Sequence, residues 1–427
     1  MSVVLSRRAF VAGGLGLAGA IIGSNAQRAK RLRSDLVRSR LLAAPREPLY
    51  VAMLDEHAAR IAPLVPEIES ELGRRLSIES LGAEQLYANF TIDLLQQTGR
   101  YDAVSMNDAW IPYFGRRGYL TAVQDVERPE TGPTYPPVIR ESARGVDGTE
   151  LVAYPWTFDF TCSAVSEALG LRGWSDEWTT TFPALTRAGA RFGMALQQPS
   201  AASETYRAIL MSYGGELVLP RTHEPGLDTY AATRALETTV RLAKLTDVQS
   251  ALSRPLDQVV SIALNGQIDA APVLWASDSS PLWTAGTWDI ELVPAGRVGH
   301  AATTGTFWMW GVPAGAPSVA KSRQFVQLMT SPEIQSKLWN STGLLPATRT
   351  AINRAWDPGG DAMKRVTLAA LDRCRFRPQL RSFRTLMEIA GQMVLDTLNT
   401  NDGAEAHVRL ANEQMREALI QEGELKG

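Results

Sequence analysis

From residue 47 onward, short apolar runs alternate with stretches whose apolar residues recur at helical spacing, and this alternation leaves the chain few architectures. The run LYVAML (49–54) is strand-like, AARIAPLVPEIESELG (58–73) has helical spacing and ends at Gly73, and RLSIESL (75–81) is strand-like again. EQLYANFTIDLLQQ (84–97) puts Leu86, Phe90 and Leu94 on one stripe ahead of Gly99, and YDAVSM (101–106) follows as a strand. A β-α-β-α order predicts an α/β fold with a mostly parallel sheet and helices on both faces, because parallel neighbours need a crossover between them. The theme continues in LVAYPWTF (151–158), FGMAL (192–196), IDAAPVLW (268–275), IELVPA (290–295) and TFWMWGVPA (306–314), with helical spacing over 228–245, 256–265 and nearly everything from about 379 onward.

A chain of 427 residues is longer than one hydrophobic core comfortably grows, so two domains or lobes are expected. With no internal repeat and no low-complexity linker in the body, the two should be interwoven. The first 46 residues differ from the rest. Arg7 and Arg8, a Gly/Ala-rich apolar run from Ala9 to Gly23, and Ser24, Asn25 and Ala26 have the layout of an export signal (1–26), and the arginine pair followed by Phe10 resembles the twin-arginine type. The apolar run falls short of the roughly 20 residues of a spanning helix, so a retained anchor is the second choice. Residues 27–46 form a basic leader. Nine basic groups against Asp35 in residues 1–46 leave the remainder with 34 basic and 44 acidic groups, a net charge of −10, the opposite of what a nucleic-acid binder needs. A periplasmic monomer is expected.

Catalytic signatures are scarce. Gly14, Gly16 and Gly19 match GxGxxG, but inside the signal, with no strand before them. The four histidines, His57, His223, His300 and His407, form no HExxH, and GxSxG, a Walker loop and a metal cluster are all lacking. No cofactor or metal is expected. Cys162 and Cys374 are far apart without CxxC spacing; a disulfide and two small buried hydrophobes both fit.

Several tryptophans fall at or near the ends of strand-like runs: Trp110, Trp156, Trp275, and Trp308 or Trp310. In an open sheet, loops converge at the carboxyl ends of strands, and aromatic residues there would line a cleft for a partly apolar, hydroxyl-rich ligand. Asn107 or Asp108 would cap the next helix, with Trp110 opening its first turn. The alternative for each indole is core packing. In FWMWGV, alternation sets Phe307 and Met309 opposite Trp308 and Trp310, so at most one face meets a cleft.

YDAVSMNDAWIPYFGRRGYLTAVQDV, LVAYPWTFDFT, ALNGQIDAAPVLWA and GTFWMWGVPAGAPSVAKSRQFVQLMTSPEIQSKLWNSTGLLPATRTAI together resemble the extracellular solute-binding proteins of sugar-type ABC importers, the maltose-binding-like group. In the last stretch Ser331 reads as a helix N-cap with Pro332 at the first helical position. The resemblance implies two α/β lobes of the periplasmic-binding-protein type joined by hinge crossings: an N-terminal lobe of 47–155 and 294–330 and a C-terminal lobe of 156–293 and 331–427. The crossings would lie near Tyr154 to Phe158, Val293 to Ala295 and Met329 to Glu333. It further implies capture of a saccharide or polyol for ABC permease subunits, with a ligand-binding set of Glu56, Asp108, Trp110, Trp156, Asp159, Trp275, Trp308 and Arg384. Arg384 stands where the family often has an aromatic stacking residue, which argues against a simple maltodextrin. A glycan-cleaving enzyme using Asp108, Asp159 or Asp278 is the rival class, and a sensor on the same scaffold a third reading.

Overall fold

The first apolar run becomes an inner strand because it has helices to bury it on either side. The computed structural model describes residues 48–96, 98–122, 139–140, 143–145, 150–171, 177–296, 302–355, 361–378, 380–400 and 403–426; the expected export signal and basic leader lie outside them. β1 (Leu49–Leu54) runs parallel to β2 (Leu76–Leu81) on one side and to β3 (Ala103–Asn107) on the other. Between β1 and β2, the single helical pattern is divided into α1 (Asp55–Ile61), a 3₁₀ turn (Ala62–Leu64) and α2 (Val65–Leu72). Pro63 and Pro66 cause the division, since each is tolerated in a first turn and not in a helix interior. Gly73 closes α2 with φ 59°, its N–H reaching the carbonyls of Glu69 and Ser70. α3 (Ala83–Gln96) buries Leu86 and Phe90 of the predicted stripe.

At the end of β3 the turn is capped by Asn107, whose side-chain oxygen accepts from Ala109 N–H at 3.1 Å. Trp110 is itself the N-cap of α4 (Ile111–Gly115), one position earlier than the first turn predicted for it. After the short β4 (Leu120–Thr121) comes the long β5 (Ala153–Ser166), then α5 (Trp178–Arg187), α6 (Pro199–Ser212), α7 (Tyr230–Thr246), α8 (Val248–Ser253) and α9 (Leu256–Leu264). β6 (Ala270–Trp275), α10 (Ser280–Thr284), β7 (Trp288–Leu292) and β8 (Thr303–Pro313) follow. FGMAL is not a strand: Phe192 makes an isolated bridge to Ala270, and Phe192, Met194 and Leu196 use their apolar surface in the core instead.

The strand order is β2-β1-β3-β8-β5-β6, with β4 on β8 and β7 on β5. β8 is antiparallel to β3, β4 and β5, and β5 is antiparallel to β6 and β7, so the centre of the sheet is antiparallel rather than mostly parallel. The reason is that β5 and β8 pass each other as long continuous strands and need no crossover helix. The chain ends with α11 (Val319–Met329), α12 (Pro332–Thr342), α13 (Arg349–Arg354), α14 (Asp361–Arg373), β9 (Cys374–Arg375), α15 (Phe383–Asn399) and α16 (Ala404–Gln421). Ser331 caps α12 as expected, its hydroxyl accepting from Ile334 N–H at 3.3 Å.

Two apolar clusters organise the molecule. One surrounds β1, β3 and β8 and continues along β5 to β7; the other gathers α5, α6, α7, α15 and α16. β5, β8 and the segment Leu344–Ala347 run side by side as the waist of the sheet, most of their buried side chains in the first cluster and Val165 of β5 in the second, with Leu345 O accepting from Phe158 N–H at 3.1 Å and Thr157 hydroxyl at 2.8 Å. Val293 is part of the second cluster, and Ala295 O accepts from Trp178 N–H at 2.9 Å. α12 packs against α1, on the first side of the waist. Cys162 and Cys374 are both free thiols, Cys162 buried and Cys374 half-buried. Among the described residues, no helix is long and apolar enough to cross a membrane.

Candidate functional site

The carboxyl ends of β1, β3 and β6 and the start of α6 bring four groups of side chains together. The first is aromatic. Trp308 meets His57 and Trp110 edge-on, with ring centroids 5.2 and 5.5 Å apart, and Tyr87 lies 5.2 Å from Trp110. Trp110 and Tyr87 keep part of their surface open, whereas Trp308 is 9% exposed. Trp156 is only 1% exposed and donates its indole N–H to Ser105 Oγ at 3.0 Å. It is a core residue, because β5 has packing on both faces here. Both faces of β8 are buried as well, so Trp310 packs on Trp156 and Phe325.

The second group is acidic. Asp159 accepts from Ser277 N–H at 3.0 Å, Ser277 hydroxyl at 2.5 Å and Phe160 N–H at 2.8 Å. Burial, aided by the nearby charge of Asp278, pushes its carboxyl up to about 7. The Glu56 carboxyl is also raised, by partial desolvation and then by Asp278. Arg60 of α1 donates to Ser277 O at 3.1 Å and so ties this turn to the opposite side of the waist. His57 is held neutral, its pKa lowered to about 3 by burial.

The third group is a buried polar bridge. Thr306 hydroxyl donates to Asp108 at 2.8 Å and accepts from Asn107 Nδ2 at 3.0 Å. Arg377 donates from Nη1 to Asn107 Oδ1 at 3.3 Å and from Nη2 to Glu204 Oε1 at 3.0 Å. Arg207, 1% exposed, lies 3.7 Å from Glu204. Burial raises the Asp108 carboxyl despite these arginines. Only 4% exposed and engaged by Thr306, Asp108 is part of the protein's own bridge rather than an open hydroxyl acceptor.

The fourth is a pocket of about 320 Å³ lined by Thr161, Gln197, Gln198, Glu204, Thr205 and Trp275 among others. α6 begins there: Gln198 is its N-cap and Pro199 its first residue, and Ser200 and Ala201 of its first turn belong to the lining. Trp275, paired with Thr161 across the β5–β6 ladder, forms the aromatic wall.

Of the sequence-predicted set, Glu56, Asp159, Trp110 and Trp308 gather around the waist and Trp275 walls the pocket. Trp156 and Asp108 are internal. Arg384 is 74% exposed on α15, in ion pairs with Glu84 of α3 at 2.9 Å and Glu388 at 3.2 Å, outside any cluster of rings. Sequence reasoning missed Gln197, Gln198, Glu204 and Arg377. The QQP stretch, a polar pair directly before a proline that opens a helix, was a usable signal for the first two; Arg377 carried none. Among the described residues no His, Cys, Asp and Glu group is placed to hold a metal ion.

A family model described as bacterial extracellular solute-binding protein matches residues 69–362. Among solved structures, the chain is similar to an ABC transporter solute-binding protein from Thermotoga lettingae TMO bound with alpha-D-tagatose, at 16% identity and TM-score 0.73, over 88% of this chain and 100% of that one. It is similar to the GacH receptor of Streptomyces glaucescens GLA.O, studied unliganded and with acarbose, at 18% identity and TM-score 0.72, over 88% and 99% of the two chains. A solute-binding protein from Agrobacterium radiobacter K84 in complex with ribitol gives 18% identity and TM-score 0.70, over 87% and 98%. No curated protein sequence matches. At these identities the structural likeness establishes a shared two-lobe fold, and the match over most of the chain settles its kinship: the protein belongs to the bacterial extracellular solute-binding protein family.

Proposed function

We propose that the protein is the capture component of an ABC importer, taking a saccharide or related polyol between its lobes and handing it to membrane permease subunits. One observation carries this reading: the 320 Å³ pocket brings an indole, Trp275, together with amide, hydroxyl and carboxylate side chains, the combination that suits the C–H face and the hydroxyls of a polyol. Solved proteins of the same fold hold tagatose, ribitol and D-mannitol. In this reading Glu204, Gln197 and Gln198 bond ligand hydroxyls from one lobe, Glu56, Trp110 and the edge of Trp308 face them from the other, and Asp159 stands on the crossing strand β5. Arg384 makes an exposed ion pair with Glu84 and does not hold the lobes together. The carboxylates serve as hydrogen-bond acceptors, and the acid pair of a glycosidase has no part in it.

We place the first lobe at 48–155 with the β8 end through α12, and the second at the remainder, with crossings at β5, β8 and Leu344–Ala347. Export through the Arg7–Arg8 signal delivers a monomer to the periplasm. The test is a thermal-shift screen of the purified protein against D-mannitol, ribitol, D-tagatose, maltose and their phosphates. A ligand at 100 times its Kd adds about 2.7 kcal/mol of stability. No shift across the panel, together with release of sugar from glycans, overturns the proposal.

A further inference from the structure

Arg377 sits just beyond β9 and ends on both sides of the waist. Its Nη2 donates to Glu204 Oε1 at 3.0 Å, and Glu204 lines the pocket; its Nη1 donates to Asn107 Oδ1 at 3.3 Å, at the end of β3. Asn107 is also the residue that shapes the turn leading to Trp110, accepting Ala109 N–H on its side chain and Trp110 N–H on its carbonyl at 3.0 Å. One unbroken path of hydrogen bonds therefore runs from the pocket wall of one lobe to the aromatic loop of the other. The bond partners lie 173 and 270 residues from Arg377 in the chain, so nothing local holds them together.

The chemistry of the bridge is directional. A planar guanidinium presents two N–H edges in a fixed fork and holds two acceptors at a set angle, which a flexible ammonium does not. Arg377 and Glu204 are each 21% exposed, shielded enough for a charge-assisted bond to outweigh the exposed surface pairs such as Arg384–Glu84. Other charges around the bridge include Arg207, 3.7 Å from Glu204, Asp108, whose carboxyl is taken by Thr306, and the Arg375–Glu216 ion pair at 2.6 Å. Glu204 therefore sits between two guanidiniums: Oε1 holds Arg377, and Oε2, buried without a hydrogen-bond partner among the described residues, faces Arg207 Nη1 at 3.7 Å, so the pocket-lining carboxylate and the bridge share one charge cluster.

We propose that Arg377 is a positioning residue that links the pocket to lobe closure: held by Glu204, it fixes Asn107 and with it the loop that carries Trp110, so that occupancy of the pocket and approach of the two lobes favour one another. This rests on the binding role proposed above. A ligand bonded to Glu204 stabilises the bridged arrangement, and loss of the bridge lowers apparent affinity by the fraction of molecules left in it.

The deciding experiment needs no ligand. Small-angle X-ray scattering of the purified full chain, compared with R377M, R377K, N107A and R384M, reads lobe separation directly. R377M and N107A should raise the radius of gyration, the double variant should raise it no further than either alone, and R377K should fall between because one ammonium replaces the fork. R384M, which breaks the exposed bridge between the same lobes, should leave it unchanged. An unchanged radius in R377M, with or without a lower melting temperature, overturns the proposal and leaves Arg377 a merely structural partner of Glu204. If the thermal-shift panel is silent while R377M expands, the linkage stands and the polyol reading fails; a panel hit that binds R377M as tightly as the parent chain sinks the linkage alone. For any panel hit, the linkage expects R377M to weaken binding at least tenfold.

Discussion

At Asp159 a carboxyl is buried beside Asp278 and held by Ser277, and its pKa rises to about 7. An unfolded aspartate titrates near 4, so between about pH 4 and pH 7 the native state retains a proton that the unfolded chain has lost. Stability supplied by that proton is complete below the unfolded value and is lost as pH rises through 7, at up to about 1.4 kcal/mol per pH unit. Asp159→Asn should therefore flatten the decline of melting temperature between pH 4 and pH 7. A variant that falls as steeply as the parent chain would show that another group is responsible. The tryptophans separate by burial in the same way. Trp156→Ala empties a core site and orphans the Ser105 hydroxyl, and should cost about 3–5 kcal/mol in urea unfolding. Trp275→Ala removes a half-buried wall of the pocket and should weaken ligand capture by about tenfold with a stability loss below that of Trp156→Ala, as titration calorimetry and urea unfolding would show. Both stand at predicted strand positions; only the packing around them tells wall from core.

The elements that sequence periodicity located are those whose partners are local. The stripe of Leu86 and Phe90, the Ser331 cap with Pro332, and the stop at Gly73 each depend on contacts within a few residues, and each appears where the pattern places it. FGMAL failed as a strand because apolar content does not say whether a run is consumed by a ladder or by side-chain packing. The crossing of α6 and α15 had no local sign either. A Cβ on Gly391 would come within 1.9 Å of Pro199 O, so α15 approaches the first turn of α6 at glycine distance. Gly391→Ala should push the helices apart and cost about 1–3 kcal/mol, measured by urea unfolding. Since α6 begins at the pocket, the same substitution should loosen ligand binding; unchanged stability would mean that α15 shifts freely.

For the whole molecule, two long antiparallel strands, β5 and β8, join the parallel strands β1, β2 and β3 to β6 and β7 in one sheet. Export is argued at this scale too. If the twin-arginine reading of residues 1–26 is right, replacing both Arg7 and Arg8 by Lys should abolish the periplasmic fraction and leave the protein in the cytoplasm; unimpaired delivery would reassign the signal to another route. The sequence by itself determined the alternating α/β elements, the caps that begin and end several of them, the family resemblance and the indoles at strand ends, because these depend on residues near one another along the chain. Tertiary structure alone decided that the sheet is antiparallel at its centre, that Trp156 and Asp108 face inward, and that Glu204, Arg377 and Asn107 form one bridge. Those outcomes join residues up to 270 positions apart, and which side chains meet across such spans is fixed by how the helices and strands pack, not by any spacing that can be counted in the chain.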